Sequence, residues 1–130
     1  MNLREFSQIN RERCESPKGF NHQLDSWTIA EWFVALFGEL GEAANISKKL
    51  NRIRDGIPGN KETREELEAK FAKEMADAYV YFDLLVQAAG FDLPTAVLEV
   101  FNNKSQEIGY PVRVIEDDGE LELVHLEKQS

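Results

Sequence analysis

Two long segments with the periodicity of an α-helix, residues 28–54 and 62–89, constrain this chain more than any other feature. In each segment, apolar side chains recur every three to four residues, which places them on one face of a helix. The run DGIPGN at 55–60 contains residues that break helices and form turns, so it separates the two segments. The pattern therefore predicts two long helices that are joined by a short loop and bury their apolar faces.

Signals at the ends of these segments predict two shorter helices as well. Helical periodicity also covers residues 2–15 and 93–108, and Asp92–Pro94 has the order of a cap followed by a first-turn proline. Gly90 predicts the end of the third helix, because glycine readily adopts the left-handed conformation that ends many helices. The dipeptide Asp-Ser at 25–26 supplies the cap candidates for the second helix.

The last part of the chain changes from helical to alternating periodicity. The sequence VRVIEDDGELELVHL, which begins at residue 112, alternates around Asp118-Gly119, a dipeptide typical of tight hairpin turns. This pattern predicts a short β-hairpin or, alternatively, a loosely held tail. We therefore expect an all-α bundle of four main helices, with a helical domain over residues 1–111 and a hairpin or tail over 112–130.

Length, charge and the absence of long apolar runs narrow the class of protein. A chain of 130 residues has the size of one domain. It contains no run of about 18 uncharged apolar residues, which argues against a membrane as partner. Acidic residues outnumber basic ones by 24 to 15, and the net charge of −9 disfavours nucleic acid as the main partner. The charged N-terminus and the single Cys14 lead us to expect a cytoplasmic protein without disulfides.

Two pairs of carboxylates fall on the apolar faces of the long segments. Glu39 and Glu42 lie three residues apart in FGELGE, and Glu74 and Asp77 lie three apart in KEMAD. At about 100° per residue, Glu39 and Glu74 lie in the middle of their apolar stripes, and the second member of each pair lies on the edge. All four carboxylates are therefore predicted to face inward.

Buried carboxylates that face one another require positive charge nearby, since each unpaired one costs several kcal/mol. Basic side chains or metal ions are the two candidates. The nearby bases mostly lie off the apolar stripes, which favours metal over a structural cluster of salt bridges; they are Lys48, Lys49, Arg52, Lys70 and Lys73. A bundle-type di-iron site needs Glu-x-x-His motifs, and neither His22 nor His125 follows a glutamate at that spacing. Ligands that are all oxygen suit Mg²⁺ or Mn²⁺.

Three runs of the sequence carry a resemblance to a known family: GELGEAANISKKL, KEMADAYVYFDLL and GFDLPTAVLEVFNNKSQEIGYPVR. Together they resemble the MazG-like branch of the all-α nucleoside triphosphate pyrophosphatases, which are related to dCTP pyrophosphatases. The family signature is E-E-x-x-E followed by E-x-x-D. Glu39 and Glu42 match its second and third glutamates, and Glu74 and Asp77 match the E-x-x-D. Gly38 stands where the family has its first glutamate. The resemblance implies a catalytic domain over residues 1–111 that cleaves a nucleoside triphosphate to the monophosphate and pyrophosphate, with these four residues as metal ligands and catalytic groups.

Further residues are candidates for contact with the nucleotide. Lys48 and Lys49 lie one to two turns beyond Glu42 and are predicted to reach phosphate, although an exposed helix face is equally typical of lysine. Trp27 is a candidate for stacking on the base. The resemblance implies three more contacts, namely Tyr81, Asn102 and Lys104, and it places Val100 where many relatives have lysine.

The apolar faces of the two long segments are wider than the face of a single packed helix can cover. Phe33 and Phe37 extend the stripe of the second segment, and Met75, Tyr79 and Val86 extend that of the third. We therefore expect a homodimer or homotetramer, as the family resemblance also implies; coverage by the first helix or the C-terminal segment is the alternative. For function, the alternative to an enzyme is a non-catalytic, metal-stabilised helical scaffold or nucleotide-binding protein.

Overall fold

The computed structural model describes residues 1–127 and shows a mostly helical protein with a two-stranded antiparallel sheet at its C-terminal end. Its elements, in chain order, are α1 (Leu3–Glu15), a 3₁₀ turn (Leu24–Ser26), α2 (Ile29–Arg54), α3 (Arg64–Ala89), α4 (Leu93–Glu107), β1 (Val112–Asp117) and β2 (Glu120–His125). The four predicted helices are confirmed, each within two residues of its predicted bounds. Residues 128–130, the end of the predicted C-terminal segment, lie outside the described part of the chain.

The helix ends follow local chemistry, with one difference from the prediction. α2 begins after Thr28, whose side chain accepts a hydrogen bond from the Glu31 backbone amide. The Glu31 side chain in turn accepts from the Thr28 backbone amide, which completes a capping box. The predicted cap at 25–26 is therefore wrong, because those two residues belong to the preceding 3₁₀ turn. Gly90 ends α3 in the left-handed conformation at φ 83°, and Asp92 caps α4 by accepting from the Thr95 amide, both as predicted.

α2 and α3 form an antiparallel pair that holds most of the core. The loop between them is closed by Asn60, whose Nδ2 donates to the Lys49 carbonyl at 2.8 Å. The predicted apolar stripes are buried; they comprise Trp32, Leu36, Ala43 and Ile46 on α2 and Leu67, Ala78 and Leu85 on α3. Burial of each large aliphatic side chain contributes about 1.5–3 kcal/mol, so this pair supplies much of the stability.

A buried carboxylate fixes α1 against α3. Asp83 of α3 is 3% exposed and accepts hydrogen bonds from Ser7 and Asn10 of α1 and from Gln87 of its own helix. Asn10 also donates to the Val80 carbonyl at 3.1 Å. Because a buried carboxylate without donors is costly, these bonds select one position of α1 along α3.

α4 and the hairpin form a second layer at the end of the α1–α3 body. α3 and α4 meet at 99°. No single helix within residues 1–127 is long and apolar enough to cross a bilayer, although α3 and α4 together meet that criterion by length and composition. β1 pairs with β2 around Asp118-Gly119, both at positive φ as the predicted hairpin turn requires. Arg4 of α1 ties this layer to the body through Asp92 at 2.7 Å and Glu116 at 2.6 Å.

Part of the surplus apolar band is covered within the chain. Val86 is buried, and Tyr79 packs against Phe6 of α1 with ring centroids 6.0 Å apart. On α2, by contrast, Phe33 and Phe37 stack at 5.8 Å and stay 41% and 61% exposed. The band on α3 is thus partly covered by α1, whereas the band on α2 faces outward.

Candidate functional site

Three carboxylates from the two long helices meet between α2 and α3. Glu39 of α2 and Glu74 and Asp77 of α3 each offer one oxygen, and these three oxygens lie within 4.8 Å of one another. The i, i+3 spacing places the α3 pair on adjacent turns of one face, and the antiparallel packing brings Glu39 opposite them. A group of oxygens at this spacing suits a hard divalent cation.

The fourth predicted carboxylate, Glu42, lies at the edge of this group. Its side chain is exposed, and it is not one of the three residues whose oxygens converge. A hydrogen bond with Glu74 and the negative charge of Glu74 raise the pKa of the Glu42 carboxyl. The structure therefore brings three of the predicted carboxylates together and places the fourth beside them.

The crowding of negative charge changes the acidity of Glu39. A hydrogen bond with Glu74, partial burial and the charges of Glu42, Glu74 and Asp77 raise the pKa of the Glu39 carboxyl to about 7. Each cause disfavours the ionised form of Glu39. A bound cation would reverse that preference, so binding of a metal ion at this group would release a proton.

One oxygen of Glu74 has no partner in the protein. Its Oε2 is fully buried and makes no hydrogen bond, while the side chain as a whole is 15% exposed. A buried carboxylate oxygen without a donor costs free energy, and such atoms are rare in folded proteins. The donor set of oxygens and this unpartnered atom both fit a divalent cation.

Within residues 1–127, a single basic side chain reaches the α3 carboxylates. Lys73 places its Nζ 2.7 Å from Asp77 Oδ2 and 3.9 Å from Glu74 Oε1. The sequence predicted that the nearby bases mostly lie off the apolar stripes; the Lys73 side chain is 69% exposed, and its Nζ nevertheless reaches both carboxylates. One positive charge offsets only part of the negative charge on the group.

A cavity of about 450 Å³ opens beside the carboxylates. It lies between α1, the 20–27 segment, α2 and α3, and its lining residues are Asn10, Arg13, Cys14, Phe20, His22, Trp27, Trp32, Glu39, Asp77, Val80, Tyr81 and Leu84. The volume is in the range of sites for small organic ligands. Carboxylates therefore form one side of a largely aromatic and apolar space.

Aromatic rings form a wall of this cavity. The His22 ring meets Trp27 edge to face at 4.4 Å, and Trp27 meets Trp32 at 4.7 Å. Trp32 is 1% exposed and donates its Nε1–H to the Leu24 carbonyl at 3.0 Å, so it is a core residue. Trp27 is half-buried and keeps ring surface available to a ligand.

Comparisons with known proteins gave no match. No family model matches the chain, and neither curated proteins nor solved structures matched it significantly. The resemblance to MazG-like enzymes, together with the activity and ligands that it implies, therefore stays a prediction.

The remaining predicted contacts divide into two groups. Trp27 and Tyr81 line the same cavity as Glu39 and Asp77. Four others lie elsewhere in this single chain: Lys48 is exposed on α2, Lys49 pairs with Glu62 at 3.5 Å, Asn102 bonds the backbone of β1, and Lys104 pairs with Glu107 at 3.0 Å. Their predicted contacts with substrate stay predictions, and the structure gives three of them other partners.

Sequence analysis missed the N-terminal side of the cavity. Asn10 and Arg13 come from α1, and Phe20 and His22 come from the loop that follows it. The guanidinium of Arg13 lies 5.4 Å from the centre of the Phe20 ring. The cluster of Phe, His and Trp between residues 20 and 27 was the available signal, because large aromatic side chains in a loop require a surface to pack against.

Proposed function

We propose that the protein is a Mg²⁺-dependent nucleoside triphosphate pyrophosphohydrolase, with Mn²⁺ as an alternative ion, that converts an NTP or dNTP to the monophosphate and pyrophosphate. One observation carries the proposal. Glu39, Glu74 and Asp77 converge beside an aromatic cavity, and one buried oxygen of Glu74 has no partner. Carboxylates next to an aromatic space match a ligand with a polyphosphate at one end and a flat ring at the other.

The carboxylate group would hold the cation. Glu39, Glu74 and Asp77 offer the oxygens, and Glu42 stands next to Glu74 as a further ligand. The ion, when bound, neutralises charge on the phosphates and lowers the pKa of a bound water. The protein's part is to keep oxygen ligands only, which favours Mg²⁺ or Mn²⁺ over metals that prefer nitrogen or sulfur.

The cavity would hold the nucleoside. Trp27 offers a ring face for the base, and Tyr81, which lines the same cavity as Asp77, would contact the nucleotide as well. Stacking of a base on an aromatic side chain contributes about 1–3 kcal/mol without selecting one base. The aromatic wall therefore supports nucleotide binding and leaves the choice of base to polar groups around it.

The proposed reaction is hydrolysis at the α-phosphorus. The oxygen of water forms a bond to this phosphorus, the bond to the bridging oxygen of the β-phosphate breaks, and pyrophosphate leaves. A carboxylate of the group takes the proton of the attacking water. No other co-reactant is needed, in agreement with a site that consists of carboxylates and aromatic rings.

The outward apolar faces support assembly with a second copy of the chain. Phe33, Val34 and Phe37 on α2 and Val97, Val100 and Phe101 on α4 are all exposed. Contiguous apolar patches of more than a few hundred Å² are rare on monomers. We include a homodimer or homotetramer, acting in the cytoplasm, in the proposal.

A product assay tests the activity. The protein is incubated with Mg²⁺ and each of the common NTPs and dNTPs, and pyrophosphate and nucleoside monophosphate are measured; both should appear in equal amounts. Release of orthophosphate alone would indicate a different phosphohydrolase. Tight, metal-dependent nucleotide binding without product would instead support a non-catalytic nucleotide-binding or scaffold protein.

A further inference from the structure

Lys73 occupies a special position at the carboxylate group. Its Nζ is 2.7 Å from Asp77 Oδ2 and 3.9 Å from Glu74 Oε1, while its side chain is 69% exposed. Among residues 1–127, no other Lys, Arg or His comes within 4.0 Å of these two carboxylates. Lys70, one turn earlier on α3, pairs instead with Glu62 at 3.4 Å.

We propose that Lys73 is a displaceable counter-ion of the site, which holds Asp77 while no cation is bound, releases Asp77 to the cation and then pairs with the phosphates of the ligand. The inference rests on the proposed function and deepens it by assigning a phosphate contact. It concerns one of the bases that the sequence pattern placed mostly off the apolar stripes.

The exposure of Lys73 makes the first step easy. An i, i+4 ion pair on an exposed helix surface is weak, because water and salt screen both charges. A buried ion pair would be costly to separate, since it would leave an unpaired charge in the interior. Lys73 can therefore leave Asp77 by rotation of its own side chain, without a change in the packing of α2 on α3.

The second step, in which Lys73 pairs with phosphate, follows from the charges at the site. Once Asp77 binds a divalent cation, the ammonium of Lys73 lies close to two positive charges with less negative charge to balance it. An anionic phosphate that bridges cation and lysine removes this repulsion, as charge-assisted hydrogen bonds from lysine to phosphate do in other sites. Lys73 should thus oppose binding of the cation alone and favour binding of the cation with a polyphosphate.

The test uses Lys73→Met, which keeps the length of the side chain and removes its charge. Binding of Mn²⁺ without nucleotide is measured by electron paramagnetic resonance at one fixed pH of about 8, because the affinity for a metal ion depends on pH. We expect Lys73→Met to bind Mn²⁺ about fivefold more tightly than the wild type. Lys70→Met, the matched control, should bind Mn²⁺ as the wild type does, and unchanged or weaker Mn²⁺ binding by Lys73→Met overturns the proposal.

The second arm uses inorganic tripolyphosphate, which carries the phosphate chain without a base. Binding of its Mn²⁺ complex is followed by equilibrium dialysis, and Lys73→Met should bind it about fivefold more weakly, whereas Lys73→Arg should bind like the wild type. If Lys73→Met tightens Mn²⁺ binding but leaves tripolyphosphate binding unchanged, the phosphate contact is wrong. Failure of the wild type to release pyrophosphate from any nucleotide would overturn the proposed function alone, because neither arm depends on turnover.

Discussion

Asn102 of α4 and Val114 of β1 are joined by two hydrogen bonds that use both ends of the Asn102 amide. Its Nδ2 donates to the Val114 carbonyl at 2.7 Å, and its Oδ1 accepts from the Val114 amide at 2.9 Å. The side chain thus replaces a neighbouring strand along this edge of the hairpin. A residue that family resemblance assigns to the substrate holds the hairpin on α4 in this chain.

Removal of this contact should loosen the hairpin. We expect Asn102→Ala to lower the free energy of unfolding by about 1–3 kcal/mol, because two backbone groups of Val114 lose their partners. Amide hydrogen exchange should speed up in β1 and β2 and stay unchanged in α2. Unaltered exchange in the hairpin would show that the contact contributes little, and Asn103→Ala, on the next position of α4, serves as the control.

Substitution of the carboxylates tests the site. Glu39→Gln, Glu74→Gln and Asp77→Asn should each lower pyrophosphate release by about a hundredfold or more, since neutral amides are poor ligands for a hard cation. Glu42→Gln should cost less, about tenfold, because Glu42 lies at the edge of the group. Glu68→Gln is the control, as Glu68 pairs with Arg64 on the exposed side of α3. Near-normal turnover in the first three variants would contradict the assignment.

Stability without metal should fall as the pH rises. The pKa of Glu39 is about 7 in the folded protein against 4.5 in its ordinary state. Between these values the folded protein binds more protons than the unfolded one, so the free energy of unfolding decreases with pH. Glu15, Glu62 and Asp92 have lowered pKa values, and their contribution changes only below about pH 4.5, outside this window.

Thermal unfolding in a chelator measures this effect. The wild type should have a higher Tm near pH 5.5, which lies inside this window, than near pH 8, which lies about one unit above it. Glu39→Gln should show a flatter profile and a higher Tm at the upper pH, and Mg²⁺ should raise the Tm of the wild type there. A profile for Glu39→Gln that parallels the wild type would assign the pH dependence to other groups.

The aromatic wall predicts a defect in substrate binding. Trp27→Ala should raise KM about fivefold or more with a smaller change in kcat, because stacking on the base precedes the chemical step. Phe91→Ala removes an exposed aromatic ring that does not line this cavity, and its KM should not change. Equal KM values for the two variants would place the base elsewhere.

The exposed face of α2 predicts the assembly state. Light scattering after size exclusion should give a mass of about two or four times 14.9 kDa at micromolar concentration. Phe37→Asp should shift the protein toward the monomer, since it puts a charge into an apolar contact. Ile57→Asp, at an exposed apolar position in the loop between α2 and α3, is the control; a wild type that elutes as a monomer refutes the assembly.

The sequence predicted those parts of the molecule that depend on regular periodicity. The phase of Glu39 and Glu74 relative to their apolar neighbours placed both at the face between the helices, and the caps at Gly90 and Asp92 marked the α3–α4 corner. The C-terminal turn was likewise local, because Asp118-Gly119 needs no partner outside the hairpin.

The cavity could not be predicted from hydrophobic periodicity, because part of its lining comes from the loop after α1, and a loop has no repeating pattern of apolar residues. Phe20 and His22 reach the carboxylate side only because the chain after α1 folds back over Cys14, whose thiol donates to the His22 carbonyl at 3.2 Å. The role of Asn102 depends on the hairpin lying against α4, which is a long-range arrangement that spacing does not encode.

Asn10 both holds α1 against α3 and lines the cavity. Both of its donor contacts are made inside the protein, to Asp83 and to the Val80 carbonyl, and yet the same residue lines the cavity. A substitution of Asn10 that reshaped the cavity would also remove one of the three donors to Asp83, and would so weaken the contact of α3 with the helix that carries Arg13. The shape of the cavity at position 10 is therefore tied to the packing of α1 on α3, and a substitution there changes both at once.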